Sequence, residues 1–259
     1  MKIAVCIKQV PDTWSEKRLS PSDATLDRAA AEGVLNELDE YAIEEALRLK
    51  EGHGGEVTVV TMGPERAADT IRKALSMGAD AGLHLCDEAL HGSDACATSD
   101  ALARILAGRG FDLVIFGCES TDARMSVIPA MVAERLDWPQ ATFAAEVQVA
   151  AGVLTVRRQT EAGVDTVTAN LPAVVSVVEK INEPRYPSFK GIMAAKKKPV
   201  ETLSLADTGI EAATVGLAAA WSAVTDFAAR PPRAQGEIMS DDGDGGRRIA
   251  DYLVTNRLI

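Results

Sequence analysis

Short apolar runs alternate with amphipathic helical stretches through the first half of the chain, and this alternation constrains the fold more than any other feature. Residues 2–10 (KIAVCIKQV) form an apolar run that stops at Pro11, the pattern of a strand buried on both faces. Residues 36–50 then carry apolar side chains at 38, 42, 43, 46, 47 and 49, with Asn36 as N-cap, acids in the first turn and Gly52 beyond the end. Residues 56–62 repeat the strand pattern, and Pro64 opens a helix that runs to Gly78. Residues 81–86 predict a third strand, 93–107 a helix capped by Ser93, and 111–117 (FDLVIFG) a fourth strand. Each crossover between parallel strands needs a helix, so four such units predict an α/β fold: a doubly wound, mainly parallel sheet covered on both faces.

After residue 141 the pattern changes to hairpins. Runs at 143–149, 154–159 and 165–170 are separated by turns at Ala151-Gly152 and Glu161-Ala162-Gly163, which predicts a small antiparallel addition at the sheet edge. Residues 173–178 (AVVSVV) are apolar enough for another central strand, and the core is expected to close near residue 181. From Thr202 apolar periodicity thins, and Arg230-Pro-Pro-Arg and Ser240-Asp-Asp-Gly-Asp-Gly-Gly have linker composition. Ile249, Leu253 and Leu258, with Tyr252 beside them, restore helical spacing over 247–259. The domain reading is a core over 1–200 and an extended C-terminal arm with a terminal helix over 201–259.

Composition limits the function. Hydrophobic residues make up 47% of the 259 residues but aromatics only 4%, so the core must be built from Ala, Val, Leu and Ile. A formal charge of -11 argues against nucleic-acid partners, which are bound by neutralising phosphates. No apolar run reaches the roughly 18 residues of a spanning helix, and residues 1–6 already form a strand, so the chain is expected to be cytoplasmic and not membrane-embedded. Cys6, Cys86, Cys96 and Cys118 lack metal or redox spacing, and His53, His84 and His91 are scattered. Neither GxSxG, GxxxxGK[ST] nor GxGxxG occurs, no nucleophile-base pair stands out, and no catalytic or metal-binding residue is expected.

In a doubly wound sheet, ligands bind at the C-terminal strand ends. Three segments fall there: residues 6–13 with the loop after them, residues 61–64, and residues 117–126 (GCESTDARMS). About 25 residues separate the first strand from its helix, where 2 to 6 are usual, and long loops of this kind are commonly functional. The hydroxyls and acid of 117–126 have two readings, a phosphate site at a helix mouth or ordinary helix caps. A fourth segment, residues 182–200 (NEPRYPSFKGIMAAKKKPV), reads as an exposed loop and short helix that offer Phe189, Ile192 and Met193 to a partner. Its Lys196, Lys197 and Lys198 suit either a solvated face or a docking rim.

Taken in order, VCIKQVPD at 5–12, KALSMGAD at 73–80, LDWPQ at 136–140, NEPRY at 182–186 and IMAAKKK at 192–198 resemble the beta subunits of electron transfer flavoproteins. The likeness runs from residue 5 to about 210, is weaker over the arm, and is most specific in the last two motifs. It implies an adenine-nucleotide-binding fold of the HUP type, a heterodimer with an alpha subunit that holds most of the FAD, and a structural AMP in this chain. Electrons would come from acyl-CoA or related dehydrogenases and pass to a membrane quinone oxidoreductase, with this chain a carrier subunit and not an enzyme by itself. By the same resemblance Cys6, Lys8, Asn36, Asp39, Met62, Glu119, Ser120, Thr121, Asp122, Arg124 and Ser126 line the AMP pocket. Tyr186, Phe189, Ile192, Met193 and Lys196 to Lys198 form the docking segment, with Phe189 as hydrophobic anchor where the family commonly has Leu. Two departures stand out: Ala123 to Pro129 replaces a glycine-bearing polar run, and Thr13 and Leu38 stand where some relatives place aromatics beside the flavin. A relative with a second FAD in place of AMP, and a stand-alone nucleotide sensor of the stress-protein type, are the alternatives.

Overall fold

The computed structural model describes residues 1–229, 231–233, 236 and 238–259; Arg230, the first residue of the expected linker, lies outside them. The chain runs β1 (Lys2–Cys6), β2 (Gln9–Pro11), β3 (Gly33–Leu35), α1 (Glu37–His53), β4 (Glu56–Met62), α2 (Ala68–Met77), β5 (Ala81–Leu85), α3 (Ala95–Leu106) and β6 (Leu113–Gly117). It continues through α4 (Ile128–Leu136), β7 (Gln140–Ala150), β8 (Val153–Thr160), β9 (Gly163–Asn170), β10 (Ala173–Val177), α5 (Phe189–Ala195), β11 (Val200–Leu203), α6 (Leu205–Thr208) and α7 (Gly245–Thr255).

Period-two side-chain alternation explains the layering. Ile3 and Val5 of β1, Leu113 and Ile115 of β6, and Ala173, Val175 and Val177 of β10 face one side, where α1 and α2 bring Ile43, Leu47, Ile71 and Leu75. Ala4 and Cys6, Val114 and Phe116, and Val174 face the other, against Leu102, Ile105 and Leu106 of α3 and Val132 of α4. The sheet has the order β11-β5-β4-β1-β6-β10-β7-β8-β9. Pairings from β11 through β7 are parallel, and β7, β8 and β9 form an antiparallel meander. Ala151 and Gly152, at φ 50 and 79, make the two-residue turn between β7 and β8. The doubly wound sheet, the meander at one edge and the central position of residues 173–177 agree with the sequence.

Several boundaries differ, each for a local reason. α1 runs past Gly52 to His53, and Gly54 after it has φ 72, a backbone that glycine adopts without a Cβ clash. Asp94, not Ser93, caps α3 by accepting from the Ala97 N–H at 2.9 Å, while the Ser93 hydroxyl accepts from the Gly216 N–H at 2.8 Å. α5 begins at Phe189, because Ser188 caps it through the Gly191 N–H at 3.0 Å. The core does not close near residue 181. β11 extends the sheet beside β5, and Leu205, Ile210 and Val215 are buried on the α3 face. These residues are too widely spaced to give a periodic signal, yet each one fully buried contributes roughly 1.5–3 kcal/mol. The compact unit accordingly spans Met1–Thr225.

The second unit, Asp226–Ile259, contains α7. Its start is held by Asp241, whose carboxylate accepts from the Gly243 and Gly245 N–H groups at 2.8 and 2.9 Å. Ile249, Tyr252 and Val254 stay about half-exposed along this helix. Among the described residues, no helix is long and apolar enough to cross a membrane.

One contact sets the position of α1 over the sheet. A Cβ on Gly117, at the end of β6, would stand 2.5 Å from Asp39 Oδ1 and 2.7 Å from the Leu38 carbonyl carbon, so only glycine admits the first turn of α1 at this distance. Gly117→Ala is expected to destabilise the fold by about 1–3 kcal/mol through overpacking. Urea denaturation of the variant measures this, and an unchanged midpoint would show that the close approach carries no weight.

Candidate functional site

The long segment between β1 and α1 is not a loose loop. β2 pairs with β3 as a two-stranded ribbon, Leu19 and Leu26 bridge within it, and the Asp12 N–H donates to the Glu32 carbonyl at 2.9 Å. This segment, the start of α1 and the segment after β6 meet at the C-terminal end of the sheet, where the strand directions place a ligand site.

Side chains sew these pieces together. The Lys8 N–H donates to Asp39 Oδ2 at 2.7 Å, which ties the end of β1 to the first turn of α1. Asn36, buried, does not cap its own helix; its Nδ2 donates to the Glu119 carbonyl at 2.9 Å and its Oδ1 accepts from the Thr121 N–H at 3.0 Å. Lys8 Nζ reaches Ser120 Oγ at 3.2 Å and Asp122 Oδ1 at 2.9 Å. Arg28 Nη2 donates to the other oxygen of Asp122 at 2.6 Å, and Lys17 Nζ to the Thr121 carbonyl at 3.2 Å. Ser126 Oγ donates to Glu119 Oε2 at 3.2 Å.

Burial and the neighbouring charges oppose each other in the ionisation of the site. Burial raises the Asp122 carboxyl, whose side chain is 1% exposed, but the Lys8 charge and hydrogen bond, then Arg28 and Ser120, outweigh it and hold the group below the usual carboxylate range. Lys8 is lowered by its own burial, an effect that Asp122 opposes. Asp39 is pushed up to about 7 by burial, against the hydrogen bonds from Asn36 and the Lys8 N–H. Burial and then Asp39 raise the Cys6 thiol well above its ordinary value, and burial and then Glu119 push Cys118 up to about 11. Neither thiol is a nucleophile at neutral pH.

Of the residues expected in the pocket, Lys8, Asp39, Ser120 and Asp122 form one bonded group and Asn36, Glu119, Thr121 and Ser126 another, joined where the Asp39 N–H donates to the Asn36 carbonyl at 3.0 Å. Cys6 and Met62 pack on the α3 face of the core below it. Arg124 is exposed, and it and Ser126 have φ of 51 and 57, a left-handed backbone held without glycine. The caps reading of 117–126 does not hold: α4 starts at Ile128 with no side-chain cap bond, and Ser120, Ser126 and Asp122 bond to Lys8, Glu119 and Arg28 instead. Thr121 Oγ1 is buried with no hydrogen-bond partner. An orphaned hydroxyl in the loop that two partly exposed cations grip at Ser120 and Asp122 suits a polar, anionic ligand such as a nucleotide phosphate. Arg28 was missed from the sequence, because its partner lies 94 residues away and no motif surrounds it.

The segment after β10 is clamped to the middle of α1. Asn182 Nδ2 donates to the Tyr41 carbonyl and to Glu45 Oε2, each at 3.1 Å. Arg185 grips both oxygens of buried Glu44 at 2.7 and 2.9 Å and reaches Glu51 at 2.6 Å. These two carboxylates, Glu44 first, raise the guanidinium pKa further. The clamp leaves Tyr186 95% and Phe189 81% exposed, with Ile192 and Met193 half-exposed on α5. Gly191 seats α5 on α2, since a Cβ there would lie 2.4 Å from the Ser76 carbonyl oxygen. Between them lies a cleft of about 360 Å³, lined by Ser76, Gly78, Arg185, Tyr186, Ser188 and Lys190. The three lysines divide: Lys196 and Lys197 are exposed, whereas Lys198 Nζ turns inward to the Leu75 and Ala79 carbonyls at 2.9 and 2.5 Å, closing the C-terminal end of α2. Among the described residues, no group of three His, Cys, Asp or Glu is positioned to hold a metal ion.

The Electron transfer flavoprotein domain family matches residues 23–208. The chain is 54% identical to the Electron transfer flavoprotein subunit beta of Mycobacterium leprae over 99% of both chains. It is 33% identical to the protein of the same name from Megasphaera elsdenii over 98% of this chain and 97% of that one. It is also 36% identical to the Caffeyl-CoA reductase-Etf complex subunit CarD of Acetobacterium woodii, over 98% and 97%. Five motifs, a strand-end polar site, a clamped exposed segment and full-length identity agree: the chain belongs to the beta-subunit family of the electron transfer flavoproteins.

Proposed function

We propose that this chain is the beta subunit of a cytoplasmic heterodimer that carries electrons from acyl-CoA or related dehydrogenases to a membrane quinone oxidoreductase. In this reading FAD, held mainly by the alpha subunit, supplies the redox chemistry, and a structural AMP sits at the strand ends of this chain. The observation that carries the nucleotide reading is the buried, unpartnered Thr121 hydroxyl in the loop that Lys8 and Arg28 grip at Asp122. Lys8, Thr121 and Arg124 would hold the phosphate, while Asn36 and Asp39 fix the loop and helix around it. Ser120, Asp122 and Ser126, with Glu119, hold the loop in shape.

The remaining parts have complementary roles. The half-exposed apolar residues of α7 supply a surface for the alpha subunit. Phe189 inserts into a dehydrogenase, supported by Tyr186, Ile192 and Met193, while Lys196 and Lys197 steer an acidic rim toward it. Lys198 supports the segment from inside and takes no part in docking. Family membership sets aside the stand-alone sensor, and a second FAD in the AMP position is an outcome that the following test separates.

Co-expression with an alpha subunit, purification and denaturation should release one FAD and one AMP per heterodimer. Two flavins and no AMP would replace AMP by a second FAD, and a colourless, unassembled mixture would overturn the carrier reading. Phe189→Ala should leave flavin content unchanged and weaken the complex with the dehydrogenase about 10- to 100-fold, from roughly 1.5–3 kcal/mol of lost burial. Rates of flavin reduction at limiting carrier measure it; rates equal to wild type would remove Phe189 as the anchor.

A further inference from the structure

We propose that Arg28 is a phosphate ligand of the strand-end site, and that Asp122 is the internal counter-anion that holds Lys8 and Arg28 in register for it. This rests on the nucleotide reading above and adds a residue that the resemblance does not supply.

Geometry leaves both cations with donors to spare. Asp122 engages one oxygen with Lys8 and the other with Arg28, so both its oxygens are taken up by cations that keep donors of their own free. Arg28 has five N–H groups; one goes to Asp122 and another makes a long 3.5 Å contact to the Gln9 carbonyl. Its side chain is 36% exposed and that of Lys8 37%, whereas Asp122 is 1% exposed: the anion is sealed in and the cations face out. Lys8 and Arg28 carry one charge more than the carboxylate they share, with Asp39 and Glu119 the other acids of the network, and Thr121, between Ser120 and Asp122 in the chain, keeps an unpartnered hydroxyl. The forked guanidinium matches two phosphate oxygens.

Arg28 is also held as a binding residue should be. Asp27 fixes the turn that carries it, accepting from the Ala29 and Ala30 N–H groups, both at 3.1 Å. Arg66 donates to the Arg28 carbonyl, and the rest of the segment is anchored by His91 to Asp23 at 2.9 Å and Lys17 to the Thr121 carbonyl at 3.2 Å. The length of the segment between β1 and α1 thereby has a purpose, which is to bring a second cation to the strand ends.

Calorimetric titration of the nucleotide-depleted heterodimer with AMP and with adenosine tests this. Loss of a charge-assisted hydrogen bond in Arg28→Gln should weaken AMP about 10-fold or more while adenosine binding stays near wild type. Arg28→Lys keeps the charge beside Asp122 and loses the fork; should the Gln variant not assemble, the Lys variant should still lower the AMP-to-adenosine preference several-fold. An unchanged preference, or equal loss of both ligands, would make Arg28 a loop anchor only and overturn the proposal while the nucleotide reading stands. A wild-type complex that binds neither AMP nor adenosine would overturn both.

Discussion

The carboxylate of Asp122 is the point on which the strand-end architecture depends. It stands in the segment after β6, yet its two oxygens are taken by Lys8, just beyond β1, and by Arg28, from the long segment before α1. Three stretches distant in sequence are thereby joined at one buried atom group. A buried charge left without its partners costs several kcal/mol, so neither cation can be withdrawn without consequence, although their partial exposure reduces the cost. The same arrangement keeps two cations at the edge of an otherwise acidic protein.

α1 connects the two functional regions. Its first turn enters the site through Asp39 and reaches the sheet only because position 117 is glycine. Two turns later Glu44 and Glu45 hold Arg185 and Asn182, from which the exposed Tyr186 and Phe189 follow. A helix gripped at both places gives the exposed segment a rigid base, and in the proposed docking role weak binding through a single aromatic anchor suits a carrier that must leave each partner.

The sequence carried the parts of this design that rest on periodicity. Alternating strands and helices, the meander at 140–170 and the strand at 173–177 were legible because each packs a repeating apolar face. β11 and the buried Leu205, Ile210 and Val215 were not, since isolated apolar residues between polar ones produce no period. In the site, the residues at strand ends and in recognisable motifs were legible. Arg28 was not, and neither were the true tasks of Asn36 and Lys198, because a cap-forming residue type and a basic run say nothing about a partner 83 to 123 residues away. Local sequence names candidates; tertiary contacts assign them.

The central claim is that the segments joined by Asp122 form a single nucleotide site. Hydrogen-exchange mass spectrometry of the heterodimer with and without AMP tests it most directly. The account predicts that AMP slows exchange together in residues 12–32, 36–40 and 118–127 and leaves the edge strand at 163–170 unchanged. Protection confined to 163–170, or binding with no change in any of those three segments, would contradict it.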